Sequence, residues 1–266
     1  GMTLTFFAMF GTFFLVAQYF QLVLGYSPLK TGLLQLPMAF VMMSLAPQVP
    51  KFVARFGAHR VVPVGLSFIA FGLAVFSQVG VDTPLWFIYF SIIPLAMGMA
   101  TVMTPLTTLI MSSVPLGKAG VGSAMNDTTR ELGGALGVAV LGSLVTSQYT
   151  SNLRPAVVGL PGQARDAALS GLAGALGVAK EIGGPAGEAI ASAARSAFVD
   201  GIGLAAATGA VVVLVAAGIA WFLLPSSHVL PAPGAPGAVD PTDPHLANAA
   251  GDVVDEGTLE PSPIID

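Results

Sequence analysis

The chain has 266 residues, 54% hydrophobic and only 9% charged, with a net charge of −4 and no cysteine. Soluble domains carry about a quarter charged residues, so a soluble fold is excluded, as are disulfides, thiolate catalysis and Cys-ligated zinc. With 10 Lys and Arg in all, a nucleic-acid surface is excluded too.

Six windows of apolar residues follow in chain order, each long enough to cross a hydrocarbon core of ~30 Å. They cover about Thr3–Leu24, Gly32–Val53, Val61–Val79, Leu85–Met111, Ala119–Val145 and Gly201–Leu224. Short connections carry turn residues: Gly25-Tyr-Ser-Pro28, Arg55-Phe-Gly57, Gly80-Val-Asp-Thr-Pro84 and Pro115-Leu-Gly117. The organisation expected is five membrane helices over 1–147, a long extracytoplasmic loop over 148–199 and a last membrane helix over 200–224. Within that loop the Ala- and Gly-rich pieces Gln163–Val178 and Gly187–Phe198 suit short helices on the membrane surface. Residues 225–266 are Pro-rich and acidic, and are expected to stay disordered.

Gly1 precedes Met2 and the first span begins at once, without a basic region or cleavage site, which fits a signal peptide poorly. A chain whose upstream part is missing is expected. Lys51, Arg55 and Arg60 flank the second connection and Lys118 the fourth, whereas the other short connections hold only Lys30. The positive-inside rule then places the second and fourth connections, and both termini, in the cytoplasm. Trp86, Tyr89 and Trp221 suit the interfacial belts.

His59, His228 and His245 lack metal-ligand spacing, and no Gly-rich phosphate loop is present, so neither metal nor cofactor is expected. No Ser/His/Asp grouping supports an enzyme. The fifth span, by contrast, places Asp127, Arg130 and Glu131 in an otherwise apolar run. On a helical wheel Asn126, Arg130, Gly137, Ser123, Gly134, Asp127 and Glu131 share an arc of about 140°. Met125, Leu132, Leu136, Ala139 and Val140 fall opposite.

A buried ionisable side chain costs at least ~2.5 kcal/mol in a membrane, so it faces a cavity or a partner. Asn126 and Asp127 lie within a turn of Arg130. Asp127 and Glu131 are four residues apart and disfavour double ionisation, which suits a carboxylate that exchanges protons. The alternative is that Arg130, ~18 Å inward from Lys118, snorkels to headgroups while the acids are solvated. Gly133, Gly134 and Gly137 are read as helix-packing residues. Gln18 and Gln21, among Phe13, Phe14, Tyr19 and Phe20, either line a cavity for flat amphipathic compounds or make ordinary interhelical bonds. Pro37, Pro47, Pro94 and Pro105 are candidate local breaks. Asp82 reads as a solvated loop residue and Asp200 as a helix cap.

The segment from Gly122-Ser-Ala-Met-Asn-Asp-Thr-Thr-Arg-Glu-Leu-Gly-Gly-Ala-Leu-Gly137 to Gly142 resembles the penultimate helix of the fourteen-helix drug:proton antiporters. These are the EmrB/QacA-type branch of the major facilitator superfamily. Gln18-Tyr-Phe-Gln-Leu-Val-Leu-Gly-Tyr-Ser-Pro-Leu-Lys-Thr-Gly32, running to Pro37, resembles the ninth and tenth helices. Gly98-Met-Ala-Thr-Val-Met-Thr-Pro105 resembles the twelfth, and Phe198-Val-Asp-Gly-Ile202 with Trp221 to Pro225 the last.

The resemblance covers about residues 3–225. It implies an all-α membrane protein whose six helices form one bundle, built on inverted three-helix repeats, as the C-terminal half of a plasma-membrane exporter. Its implied partners are the lipid bilayer, protons, an amphipathic small molecule and the missing N-terminal half. Asn126 and Arg130 would line and gate the pathway with Gln18 and Gln21, and Asp127 or Glu131 would couple to protons. The loop signature of the superfamily has an acid where Ala54 stands, so Arg55 and Gly57 are read as cytoplasmic gate or topology residues only. The other reading is a membrane scaffold or assembly partner that transports nothing.

Overall fold

A computed structural model describes residues 2–112 and 119–223. The connection Pro115-Leu-Gly117, Lys118 and the tail with His228 and His245 lie outside them. The described residues are mostly helical, without a strand. The first helix, α1, covers Met2–Gln18 and continues as a π-helical turn over Tyr19–Val23. Ser27 caps α2 (Pro28–Leu45): its Oγ accepts from the Lys30 N–H at 3.3 Å, and Pro28 opens the helix with a φ already suited to it.

Helical structure runs on from α2 through a 3₁₀ turn (Ala46–Gln48) into α3 (Val49–Phe56). Pro47 and Pro50 lack the N–H groups a regular α-helix needs, which accounts for the tighter turn. Pro37 in α2 and Pro94 and Pro105 in the fourth span interrupt nothing, so only the Pro47 region changes helix type. Gly57 then breaks the chain with φ +80°, a conformation that side chains with a Cβ rarely adopt. Beyond it come α4 (Ala58–Phe76), α5 (Leu85–Ser112) and α6 (Ala119–Leu153). The remaining helices are α7 (Gly162–Leu169), α8 (Leu172–Ile182) and α9 (Gly184–Leu223).

Six helical stretches are long and apolar enough to cross a membrane. Divided into the triplets α1–α2–α4 and α5–α6–α9, they pack across the divide in exchanged couples. α1 meets α6 as α2 meets α5, α4 meets α5 as α1 meets α9, and α4 meets α9. Two inverted repeats would give these couples, although α6 packs closely on α9 while α2 and α4 share no comparable contact. Small residues set the spacing. Gly65, Gly72 and Gly98 leave no room for a Cβ between α4 and α5: one on Gly72 would lie 2.6 Å from the Ser91 carbonyl oxygen. Tyr19, Phe20, Ile69, Leu73, Phe76 and Met99 are buried in the core of the bundle.

The end of the bundle between α6 and α9 differs from the sequence expectation. The fifth span runs on to Leu153 rather than Val145, and the last begins at Gly184 rather than Gly201. At 35 and 40 residues these helices measure about 52 and 60 Å, far more than a ~30 Å core requires. Their projecting ends pack with α7 and α8 into a helical cap, so most of 148–199 is helix rather than loop. The helices part at Gly183 and Gly184, with φ +65° and +56°. Tyr149 is fully buried in the cap; its hydroxyl donates to the Ala168 carbonyl at 2.8 Å and its ring meets Phe198 edge-on at 6.0 Å. Asp200, expected as a cap, instead accepts from Asn152 Nδ2 at 3.0 Å, tying α9 to α6.

Candidate functional site

The contact between α1 and α6 organises the charged cluster. The two helices run parallel, with Thr3 level with Gly133, Phe7 with Gly137 and Gly11 with Leu141. A Cβ on Gly133 would overlap the Thr3 carbonyl oxygen, and one on Gly137 the Phe7 carbonyl oxygen. On Gly134 it would lie 2.9 Å from the Phe10 ring. Gly133, Gly134 and Gly137 are buried in this seam and let the backbones approach closely.

That seam divides the polar arc of α6. Arg130 lies on the α1 side: its guanidinium carbon is 5.1 Å from the centre of the Phe6 ring, within cation–π range. Asn126, one turn earlier, is half-buried, and its Oδ1 is buried without a hydrogen-bond partner among the described residues. An unsatisfied buried carbonyl costs about 1–3 kcal/mol, so this oxygen stands ready for a donor. Asp127 and Glu131 fall beyond the seam and, like Arg130, are exposed. Thr129, on the other side of Asn126 from the carboxylates, turns its hydroxyl back to the Met125 and Asn126 carbonyls, both at 2.9 Å. The arrangement offers an exposed cation against an aromatic ring, a buried amide oxygen without a partner among the described residues and two exposed carboxylates, all on one stretch of helix.

The first span supplies a separate set of groups. Gln18 is half-buried and Gln21 exposed on the π-helical turn. Of the aromatic residues around them, Tyr19 and Phe20 are fully buried in the bundle, while Phe13 and Phe14 are half-buried. Tyr19 hydrogen-bonds the Gly80 carbonyl at 2.8 Å, which fixes the end of α1 to the α4–α5 connection. At the opposite end, Gly57 is buried, and its carbonyl accepts from the Arg60 and Val61 N–H groups, both at 3.2 Å. Arg55 is exposed with its guanidinium carbon 5.3 Å from the Phe56 ring. Asp82 is exposed in its connection, as are Trp86 and Trp221 on the helices.

Phe6 is the neighbour of Arg130 that sequence reasoning missed. An aromatic residue near the start of an apolar helix gives no sign of its partner, and only the parallel register of α1 against α6 brings it under Arg130.

Comparison with known proteins adds the following. The family model described as Major Facilitator Superfamily matches residues 1–138. The "Multidrug efflux pump LfrA" of Mycolicibacterium smegmatis is 34% identical over 209 residues, 79% of this chain and 41% of its own length. The "Tetracenomycin C resistance and export protein" of Streptomyces glaucescens is 34% identical over 233 residues, 83% of this chain and 42% of its own. The "Methyl viologen resistance protein SmvA" of Salmonella typhimurium is 30% identical over 212 residues, 79% and 42% respectively. The chain thus spans about two fifths of the length of the curated relatives it matches.

Proposed function

The chain belongs to the major facilitator superfamily, and from that premise we propose that its six membrane helices are helices nine to fourteen of a fourteen-helix drug:proton antiporter. Similarity to proteins named for multidrug efflux, antibiotic export and viologen resistance supports drug export as the activity. The observation that carries the half-transporter reading is the surface of α2. Only 11% of its most apolar window is buried, and Leu29, Leu33, Leu36, Phe40 and Met43 form an exposed stripe at alternating spacings of four and three. That spacing suits knobs-into-holes packing against another helix. The second bundle of the same transporter supplies that partner.

In this reading substrate sits near the midplane between the two bundles, and alternating access moves it outward. Arg130 and Asn126 line and gate the pathway, and Gln18 and Gln21 contribute donors and acceptors for an amphipathic substrate. Proton exchange at Asp127 or Glu131 biases one facing state over the other. Arg55 and Gly57 belong to the cytoplasmic gate. The protein resides in the plasma membrane with both termini of this chain in the cytoplasm, as the distribution of Lys and Arg supports.

Replacing Arg130 by Ala tests the assignment. We expect loss of fluorescent-dye efflux with an unchanged amount of protein in the membrane; undiminished efflux would remove Arg130 from the pathway.

A further inference from the structure

A groove of about 480 Å³ lies where α3, α4 and α5 meet, away from the α1–α6 seam. Phe52, Phe56, Val64, Phe68 and Met97 form most of its wall, and Arg60 is the one charged side chain lining it. Phe52, Phe56, Val64 and Phe68 are exposed, so the groove opens sideways from the bundle. Its volume falls within the ~300–1,000 Å³ of small-molecule sites. Arg60 stands in the first turn of α4, immediately after the Gly57 break, where a membrane helix reaches the headgroup layer.

The charged residues of the three helices that form the groove have one sign, since α3, α4 and α5 carry no Asp or Glu. Lys51 and Arg55 are exposed on the adjoining helix α3, and the sequence contains no Asp or Glu before Asp82. An amphipath with an apolar tail and an anionic head fits both features, whereas a cationic one meets uncompensated positive charge. Clusters of this kind at membrane-helix ends attract anionic lipid headgroups.

We propose that the groove is a binding site for an anionic phospholipid, with an acyl chain against Phe52, Phe56 and Phe68 and the phosphate on the Arg60 guanidinium. Lys51 and Arg55 add longer-range attraction. Arg suits this role better than Lys because its planar fork donates two parallel hydrogen bonds to a phosphate.

The test is fluorescence quenching by lipids brominated in the acyl chain. Phe68→Trp serves as reporter in a chain carrying Trp86→Phe and Trp221→Phe, reconstituted in phosphatidylcholine vesicles. Brominated phosphatidylglycerol should quench at about one fifth of the mole fraction that brominated phosphatidylcholine requires, the scale of one cation's attraction to an anionic lipid. Arg60→Gln should bring the two lipids level, and Val64→Phe should weaken quenching by both by filling the groove. Equal quenching by both lipids in the parent, or a preference unchanged in Arg60→Gln, overturns the proposal. Native mass spectrometry of the unaltered chain and of Arg60→Gln in mixed lipid micelles reads the same preference without the reporter substitutions. There, equal adducts of the two lipids would overturn the proposal independently.

Discussion

The guanidinium carbon of Arg130 lies 5.1 Å from the centre of the Phe6 ring, so the cation of the charged cluster is held by an aromatic face of α1. Cation–π contacts at exposed sites are worth about 0.5–1 kcal/mol. Phe6→Leu keeps an apolar packing side chain but removes the ring. If the contact poises Arg130 for transport, this variant should lower dye efflux about two- to fivefold, with membrane levels unchanged. Efflux equal to the parent would mean that the ring only fills space.

The α1–α6 seam should tolerate no added methyl group. In Gly137→Ala the new Cβ would overlap the Phe7 carbonyl oxygen, and backbone cannot yield as a flexible side chain does. Overpacking of this kind costs about 1–3 kcal/mol. Gly218 on α9 has open space around it, so Gly218→Ala should be neutral or slightly stabilising through helix propensity. Thermal unfolding of the two variants in detergent, side by side, separates close packing from a general effect of removing a glycine.

Tyr19 ties the π-helical end of α1 to the α4–α5 connection through its 2.8 Å bond to the Gly80 carbonyl. Tyr19→Phe leaves the buried ring and deletes only the donor. A loss of about 0.5–1.5 kcal/mol is expected, with faster amide exchange in residues 80–83 as its local sign. Unchanged exchange there would contradict the role assigned to the bond.

The cap should detach without unfolding the bundle. Tyr149→Phe removes the bond to the Ala168 carbonyl and Asn152→Ala the one to Asp200, the main polar ties described between the helices of the cap. The double variant should be cleaved faster by added protease within residues 158–171, while the melting temperature of the membrane helices stays near that of the parent. A fall in both would mean that cap and bundle unfold together.

The six spans were legible because about twenty consecutive apolar residues can satisfy their backbone in a membrane only as helix. The start of α9 was not, because Ala- and Gly-rich residues outside the bilayer lose the apolar signal without losing helicity. Gly183-Gly184-Pro185 was the available mark of its true beginning. The cluster from Asn126 to Glu131 was legible as a group, but not its division. One wheel places Asn126, Arg130 and the glycines in a single arc with Asp127 and Glu131. Only the register of Thr3 with Gly133 and Phe7 with Gly137 turns the first set toward α1 and leaves the carboxylates beyond the seam. That register depends on contacts more than a hundred residues apart in the chain, which no local pattern encodes.

The central claim is that these helices form half of a proton-driven drug exporter whose pathway passes Arg130. Its most direct test is dye transport by everted vesicles from cells producing the full-length transporter that contains them, with a pH gradient imposed and then collapsed. The account predicts dye uptake that stops when the gradient is collapsed and is lost in Arg130→Ala at equal protein levels. Uptake indifferent to the gradient, or undiminished in Arg130→Ala, would contradict it.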